Sequence, residues 1–215
     1  MKNYKAYIVD MDGTLYFKRP MQLRMAWQLG WYYLFRLRRV KELLLLRDYR
    51  RLREREEITG REGFESVIRQ KLAENYALPR QRVDEVVDSW MLQRPLEAVG
   101  RSRDEGLLRF LREQQSRGAR VFVYSDYPAE DKCRAIGFAP DGIYWPDGVR
   151  IRAMKPEPEG LALLLEENGL KPEDALFIGD RAEKDGKCAA ALGVDAWILP
   201  GSAAGRKGEW EARLG

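Results

Sequence analysis

Tyr7-Ile8-Val9-Asp10-Met11-Asp12-Gly13-Thr14-Leu15 begins as a short apolar run and breaks into an acidic turn. From Ala6 to Val9 the residues are β-branched, aromatic or small, the pattern of a strand buried on both faces. Gly13 allows a sharp backbone turn just beyond the strand end. In open α/β sheets, ligands bind outside the carboxyl ends of the strands. Two acids two residues apart at such an end can share one site. Taken alone they are equally readable as solvated loop aspartates, so the rest of the chain has to arbitrate.

Bulk composition narrows the classes. The 215 residues suffice for one large domain, or a domain with a smaller companion. With 45% hydrophobic and 33% charged residues the chain reads as a globular protein, and its net charge of +4 favours anionic ligands. Cys133 and Cys188 are too few for a disulfide framework and have no metal-site spacing, so reduced thiols and a cytoplasmic location are expected. The N-terminus runs into the first strand without signal-peptide character, and no apolar run approaches the ~20 residues of a membrane span. There is no histidine. That removes Ser-His-Asp, Cys-His and His-zinc chemistry, and leaves acid–base work to Asp, Glu, Lys, Tyr or Cys, with any metal a hard cation held by oxygens.

Working outward, residues 4–10 are the first strand. From about Arg19 to Met91 no strand is evident. Met21 to Glu57 is helical in tone, crowded with arginine, with Gly30 as a candidate break. Thr59-Gly60 is a second break signal. Phe64, Val67, Ile68, Leu72 and Tyr76 mark another helix, and Val83, Val86, Val87, Trp90 and Met91 form an amphipathic stripe closed by Pro95. Strands and helices then alternate: a helix over 104–116, a strand over 119–125, a short helix over 128–135, a short strand over 142–145, a strand or loop over 149–153, a helix over 157–168, a strand over 175–179, a helix over 183–192 and a strand over 194–199. Residues 200–208 read as loop, with at most a loose helical turn at the end. This alternation predicts a doubly wound, Rossmann-like parallel sheet. Only one strand precedes the helical block, so the expected organisation is an α/β core of residues 1–17 and 95–215 with an all-helical cap, 18–94, inserted into it.

Asp10, Asp12, Ser125, Lys155, Asp180 and Asp185 all stand at or just after strand ends. Parallel strands lie about 5 Å apart, so these residues can converge. Phosphoryl transfer needs each of them. A carboxylate at the strand end, Asp10, can attack phosphorus. A second acid, Asp12, can protonate the leaving oxygen and later activate water. Carboxylates repel a phosphate dianion, so a Mg²⁺ ion is required, and Asp10, Asp180 and the Asp12 carbonyl could hold it. Lys155 supplies fixed positive charge. Ser125 can bind a phosphate oxygen beside a helix N-terminus. Singly, each is more often an ordinary strand-end serine, a solvated lysine or a common Gly-Asp turn; their joint order is what carries weight.

With those residues in place, the sequence resembles the haloacid dehalogenase-like hydrolase superfamily. DMDGTL at 10–15 matches the first family motif, VFVYS ending at Ser125 the second, Lys155-Pro156 the third, and IGDRAEKDG at 178–186 the fourth. The likeness covers roughly 1–17 and 95–200. It implies that Asp10 is the nucleophile and Asp12 the acid/base, that Ser125 and Lys155 meet the phosphate, that Asp180 binds Mg²⁺, and that Asp185 supports the metal. Dehalogenases of the family lack the second aspartate, so Asp12 points to phosphate over haloacid. Asp126 stands where the family often has Asn or Gly.

The resemblance also makes residues 18–94 a mobile cap that excludes water and reads the leaving group, which favours small phosphorylated metabolites. A Mg²⁺-dependent phosphatase is therefore expected. A sugar-phosphate mutase would share every core residue, and a non-catalytic or membrane-associated protein would keep only the fold. The basic, aromatic segment over 21–55 is read first as cap packing with solvated arginines, then as an arginine grip on an anionic substrate, and third as an interfacial helix on an anionic membrane. Nucleic-acid binding is not expected, because the charge sits in one helical segment without a recognised module.

Overall fold

In a computed structural model of the protein, residues 2–36, 39–53 and 63–214 are described. Thr59-Gly60 and the end of the basic segment beyond Arg53 lie outside the described residues. The elements, in chain order, are β1 (Ala6–Val9), α1 (Lys18–Leu34), α2 (Lys41–Arg53), α3 (Phe64–Tyr76), α4 (Arg80–Val87), α5 (Pro95–Arg101), α6 (Glu105–Ser116), β2 (Arg120–Tyr124), α7 (Glu130–Ile136), β3 (Gly142–Tyr144), α8 (Glu159–Glu167), β4 (Ala175–Gly179), α9 (Lys187–Ala191), β5 (Asp195–Ile198) and α10 (Ala203–Leu214).

All five strands are parallel, in the order β3-β2-β1-β4-β5. β1 therefore lies at the centre, where strand order reverses. Its four residues are all buried, as a strand covered on both faces requires. Tyr7 and Val9 pack toward α5, α6 and α7; Ala6 and Ile8 pack toward α8 and α9. The alternation of side chains along the strand thus feeds two apolar layers.

Between β1 and α5 the helices α1–α4, with the turn over 88–93, enclose an apolar core of their own around Tyr33, Leu45, Tyr49, Ile68, Val86 and Trp90. α4 earns its place through Val83, Val86 and Val87, which line one face.

Three local expectations change, and a fourth, strand or loop over 149–153, resolves to loop. Gly30 does not break α1, which runs on to Leu34; one glycine costs a helix only ~1 kcal/mol. Pro95 opens α5 rather than closing a block, since the first helical position needs no N–H. Residues 149–153 are loop, because the Asp147 carboxylate accepts the amides of Val149, Arg150 and Ile151. Residues 203–214 form a helix, although three glycines lie over 201–208. Its start is capped by Ser202, whose hydroxyl accepts Gly205 N at 3.2 Å, and Arg206 anchors it to the core. No described helix is long and apolar enough to cross a membrane.

Candidate active site

The acidic loops meet because their strands end level. Val9 pairs with Val123 on one side and Ile178 on the other, so Asp10, Ser125 and Asp180 leave the sheet together at its carboxyl edge. The chain then turns on Gly13, at φ 96°, a conformation a β-carbon disfavours. A side chain there would also strike Asp180 and Lys18. Gly179 is equally constrained, since a β-carbon would collide with the Asp185 carboxylate.

Lys155, 2% exposed, reaches this loop from the chain after β3. Its Nζ lies 2.5 Å from Asp10 Oδ1 and 2.8 Å from Asp185 Oδ1, and donates to Tyr124 O at 3.2 Å. Burial works against the ammonium, but Asp10, Asp126 and Asp185 outweigh it and hold Lys155 well above its usual range. Burial also pushes the Asp10 carboxyl upward; Lys155 opposes that push and Asp185 adds to it. With three acids around it, Lys155 keeps its proton.

Asp10, Asp180 and Asp185 each offer an oxygen within 4.8 Å of the others. Asp180 Oδ1 is buried and accepts no hydrogen bond, and Asp185 Oδ1 meets only the Lys155 ammonium. Asp185 Oδ2 accepts the amides of Asp180 and Arg181 at 3.1 and 3.0 Å, which fixes its orientation. Asp180 Oδ2 accepts Lys18 Nζ at 2.8 Å. Clustered carboxylate oxygens with open lone pairs are the donor set of a hard divalent cation, so these residues fit Mg²⁺.

Asp12 faces another way. Its carboxylate lies against Lys132 Nζ, at 2.6 and 2.8 Å, and the Tyr16 hydroxyl. The side chain is outside the acidic cluster, leaving its carbonyl as the group expected to meet a metal. Burial would raise Asp12, but Lys132 and Tyr16 prevail and hold it below the usual carboxylate range. Two carboxylates on one loop are thus driven in opposite directions.

Ser125 is fully buried, and its Oγ accepts Tyr127 N at 3.1 Å. Asp126 ties three loops together: Oδ1 accepts Lys155 N at 3.1 Å, and Oδ2 faces Arg181 and Lys184 at 3.4 and 3.5 Å. From α2, Arg53 crosses to the core and donates to Asp126 O at 2.8 Å, its guanidinium 4.4 Å from the Tyr127 ring. From α10, Arg206 donates to Thr14 O at 2.6 Å, to Pro200 O at 2.7 Å and to Gly13 O, and pairs with Asp104 at 2.8 Å. The turn carrying Asp10 and Asp12 is therefore clamped from beneath.

Tyr16, Lys18, Arg53, Lys132 and Arg206 are site residues that no sequence pattern singles out. Only Arg53 belongs to a segment marked as unusual, and there it is one arginine among many.

The comparisons with known proteins bear on the fold and the family. No curated protein sequence matches the chain. Among solved structures, a 2-haloacid dehalogenase of Pseudomonas syringae pv. Tomato superposes with TM-score 0.66 at 18% identity, covering 99% of this chain and 100% of its own. A HAD-hydrolase of Bacillus subtilis, solved with magnesium, gives 0.60 at 15%, covering 92% and 89%. CbbY of Rhodobacter sphaeroides, solved as a D10N mutant with xylulose-1,5-bisphosphate, gives 0.57 at 19%, covering 93% and 87%. These likenesses speak to the fold. The family model described as haloacid dehalogenase-like hydrolase matches residues 4–193, and the chain belongs to that family.

Proposed function

We propose that this hydrolase is a phosphatase of small phosphomonoesters that works through a phospho-Asp10 intermediate and requires Mg²⁺. The observation that carries the reading is the second carboxylate, Asp12, set two residues after Asp10 and held apart from the acidic cluster by Lys132 and Tyr16. A dehalogenase has no leaving oxygen to protonate and no use for such a group. CbbY, which binds a sugar bisphosphate in the solved structure, supports the same class of ligand.

The chemistry follows from the positions. An Asp10 oxygen attacks phosphorus as the ester P–O bond breaks. The leaving alkoxide takes a proton from the Asp12 carboxyl. Lys132 and Tyr16 favour ionised Asp12 in the resting site, so Asp12 first gains that proton from the substrate, which binds as its monoanion; a phosphomonoester's second pKa is about 6. Ionised Asp12 then accepts a proton from water, the water oxygen attacks phosphorus, and the acyl-phosphate bond breaks to release phosphate. Asp10, Asp180 and Asp185 would hold the cation, which offsets charge on the phosphoryl oxygens when bound. Lys155 orients Asp10 and keeps positive charge beside it. Arg53 closes the cap side of the Asp126 loop, where a leaving group would be read.

The test is hydrolysis of an aryl phosphate with Mg²⁺, set beside chloride release from 2-chloropropionate. Wild-type protein should release phosphate only, and Asp10→Asn should lose turnover while keeping its thermal unfolding midpoint. Chloride release without phosphate release would overturn the assignment.

A further inference from the structure

The outward face of α1 is unlike the rest of the surface. Leu23, Trp27, Trp31 and Phe35 follow one another at four-residue steps, with Leu34 beside them, so they line one side of the helix. Trp27, Trp31 and Phe35 are 73%, 60% and 70% exposed. Their rings form a ladder in the open: Trp27 stacks on Trp31 with centroids 6.3 Å apart, and Phe35 meets Trp31 edge-on at 5.4 Å. The three alone expose on the order of 400 Å² of aromatic surface, the scale at which a patch is usually functional.

The cap does not need this face. The opposite side of α1 already supplies Met25 and Tyr33 to the cap core, with Leu29 and Tyr32 packed against it. A helix apolar on both sides has a second surface still to cover. The charge around that surface is predominantly basic: Glu97 lines the groove beside Leu23 and Trp27 but is paired with Arg101 at 2.5 Å. Residues 13–41 contain Lys18, Arg19, Arg24, Arg36, Arg38, Arg39 and Lys41, and no Asp or Glu. Among the described residues no carboxylate pairs with Arg24, Arg36 or Arg39; Arg36 and Arg39 lie instead against Tyr32.

We propose that this face of α1 docks on an anionic lipid bilayer, with Leu23, Trp27, Trp31 and Phe35 entering the headgroup–acyl boundary and the surrounding arginines meeting lipid phosphates. Tryptophan with an apolar body, flanked by arginine, is the composition that partitions to that boundary, and each basic residue near an anionic leaflet adds to the attraction. A second copy of the chain fits less well. Two-fold pairing would lay the same basic residues of both copies against each other, and interface cores are depleted of charge.

The test is flotation of the whole protein with vesicles of phosphatidylcholine and phosphatidylserine at 7:3, and with phosphatidylcholine alone, at low and high salt, alongside molar mass by light scattering. Wild-type protein should float with the mixed vesicles and much less with neutral ones. The variant Trp27→Ala/Trp31→Ala/Phe35→Ala should bind them at least about tenfold more weakly, and Arg24→Glu/Arg36→Glu should do the same. Both variants should keep wild-type aryl phosphate turnover, because none of these side chains touches the acidic loops; that readout also separates this inference from the phosphatase reading. Absence of flotation, or flotation untouched by both variants, would overturn it. So would a wild-type dimer that the aromatic variant converts to monomer, or an oligonucleotide held by the same residues in place of vesicles.

Discussion

Replacing Arg206 with methionine should be the most damaging single change outside the acidic cluster. The guanidinium is 1% exposed and its partner Asp104 is 3% exposed. Methionine keeps much of the volume and removes the charge. Asp104 then sits buried with no cation, and three carbonyls, of Gly13, Thr14 and Pro200, lose their donor. Breaking a buried pair by deleting one partner costs about 3–5 kcal/mol. The stranded carbonyls add to the same local loss and are not summed separately. Against a total stability of about 5–15 kcal/mol, the expected loss of about 4 kcal/mol is a quarter or more. At about 2–4 °C per kcal/mol for a chain of this size, the unfolding midpoint should fall by roughly 8–16 °C. Urea and thermal unfolding followed by circular dichroism measure it. A comparator isolates the cause. Asp104→Asn keeps the oxygen that caps α6 by accepting Leu107 N at 3.1 Å, since asparagine caps well, and it removes the stranded charge. Arg206→Met/Asp104→Asn should therefore be more stable than Arg206→Met alone. A single variant within about 1 kcal/mol of wild type, or a double variant no better than the single, would refute the reasoning.

Other outcomes follow from the same geometry. Lys132→Met removes the strongest influence holding Asp12 below its usual range; the carboxyl should rise, and the acidic limb of the pH–rate profile should move to higher pH, whereas an unmoved limb would detach Lys132 from the acid/base. Adding Mg²⁺ should raise the unfolding midpoint, by about 2.7 kcal/mol of added stability at a hundred times the dissociation constant, and Asp180→Ala should abolish that shift as seen by scanning calorimetry. Burial pushes the Cys133 and Cys188 thiols up to about 12. A folded value above the unfolded 9.0 means that their contribution to stability is intact below pH 9 and declines as pH rises toward 12. Native protein at pH 8 should consequently resist a thiol reagent that labels both cysteines once the chain is unfolded in urea, and prompt native labelling would contradict their burial.

The sheet and the acidic loops were legible because their signals are local. A central parallel strand has no polar face, so β1, β2 and β4 stand out as short continuous apolar runs, and their ends locate Asp10, Ser125 and Asp180. Lys155 was legible only because Pro156 follows it in a family motif. What stayed hidden depends on partners far along the chain. Nothing around Lys132 announces a contact with Asp12, and nothing around Arg206 announces Gly13. Low local propensity over 200–208 argued for loop, and the helix there is maintained by tertiary anchoring that overrides it. Gly30 misled for the converse reason: Met25 and Tyr33, packed into the helical core before and after it, carry the helix across it.

The central position of β1 also fixes an order of assembly. β1 precedes the other strands, yet both its neighbours in the sheet come more than a hundred residues later, Val9 meeting Val123 and Ile178. The helices between them pack mainly on one another, so they can gather while the strand waits. Pairings of such long sequence separation form slowly, since loop closure has to precede any stabilising contact. The loop bearing Asp10 and Asp12 takes shape only when β4 docks and Asp180 arrives. A growing chain therefore carries Asp10 long before the acidic site around it can exist, and that site waits for β4.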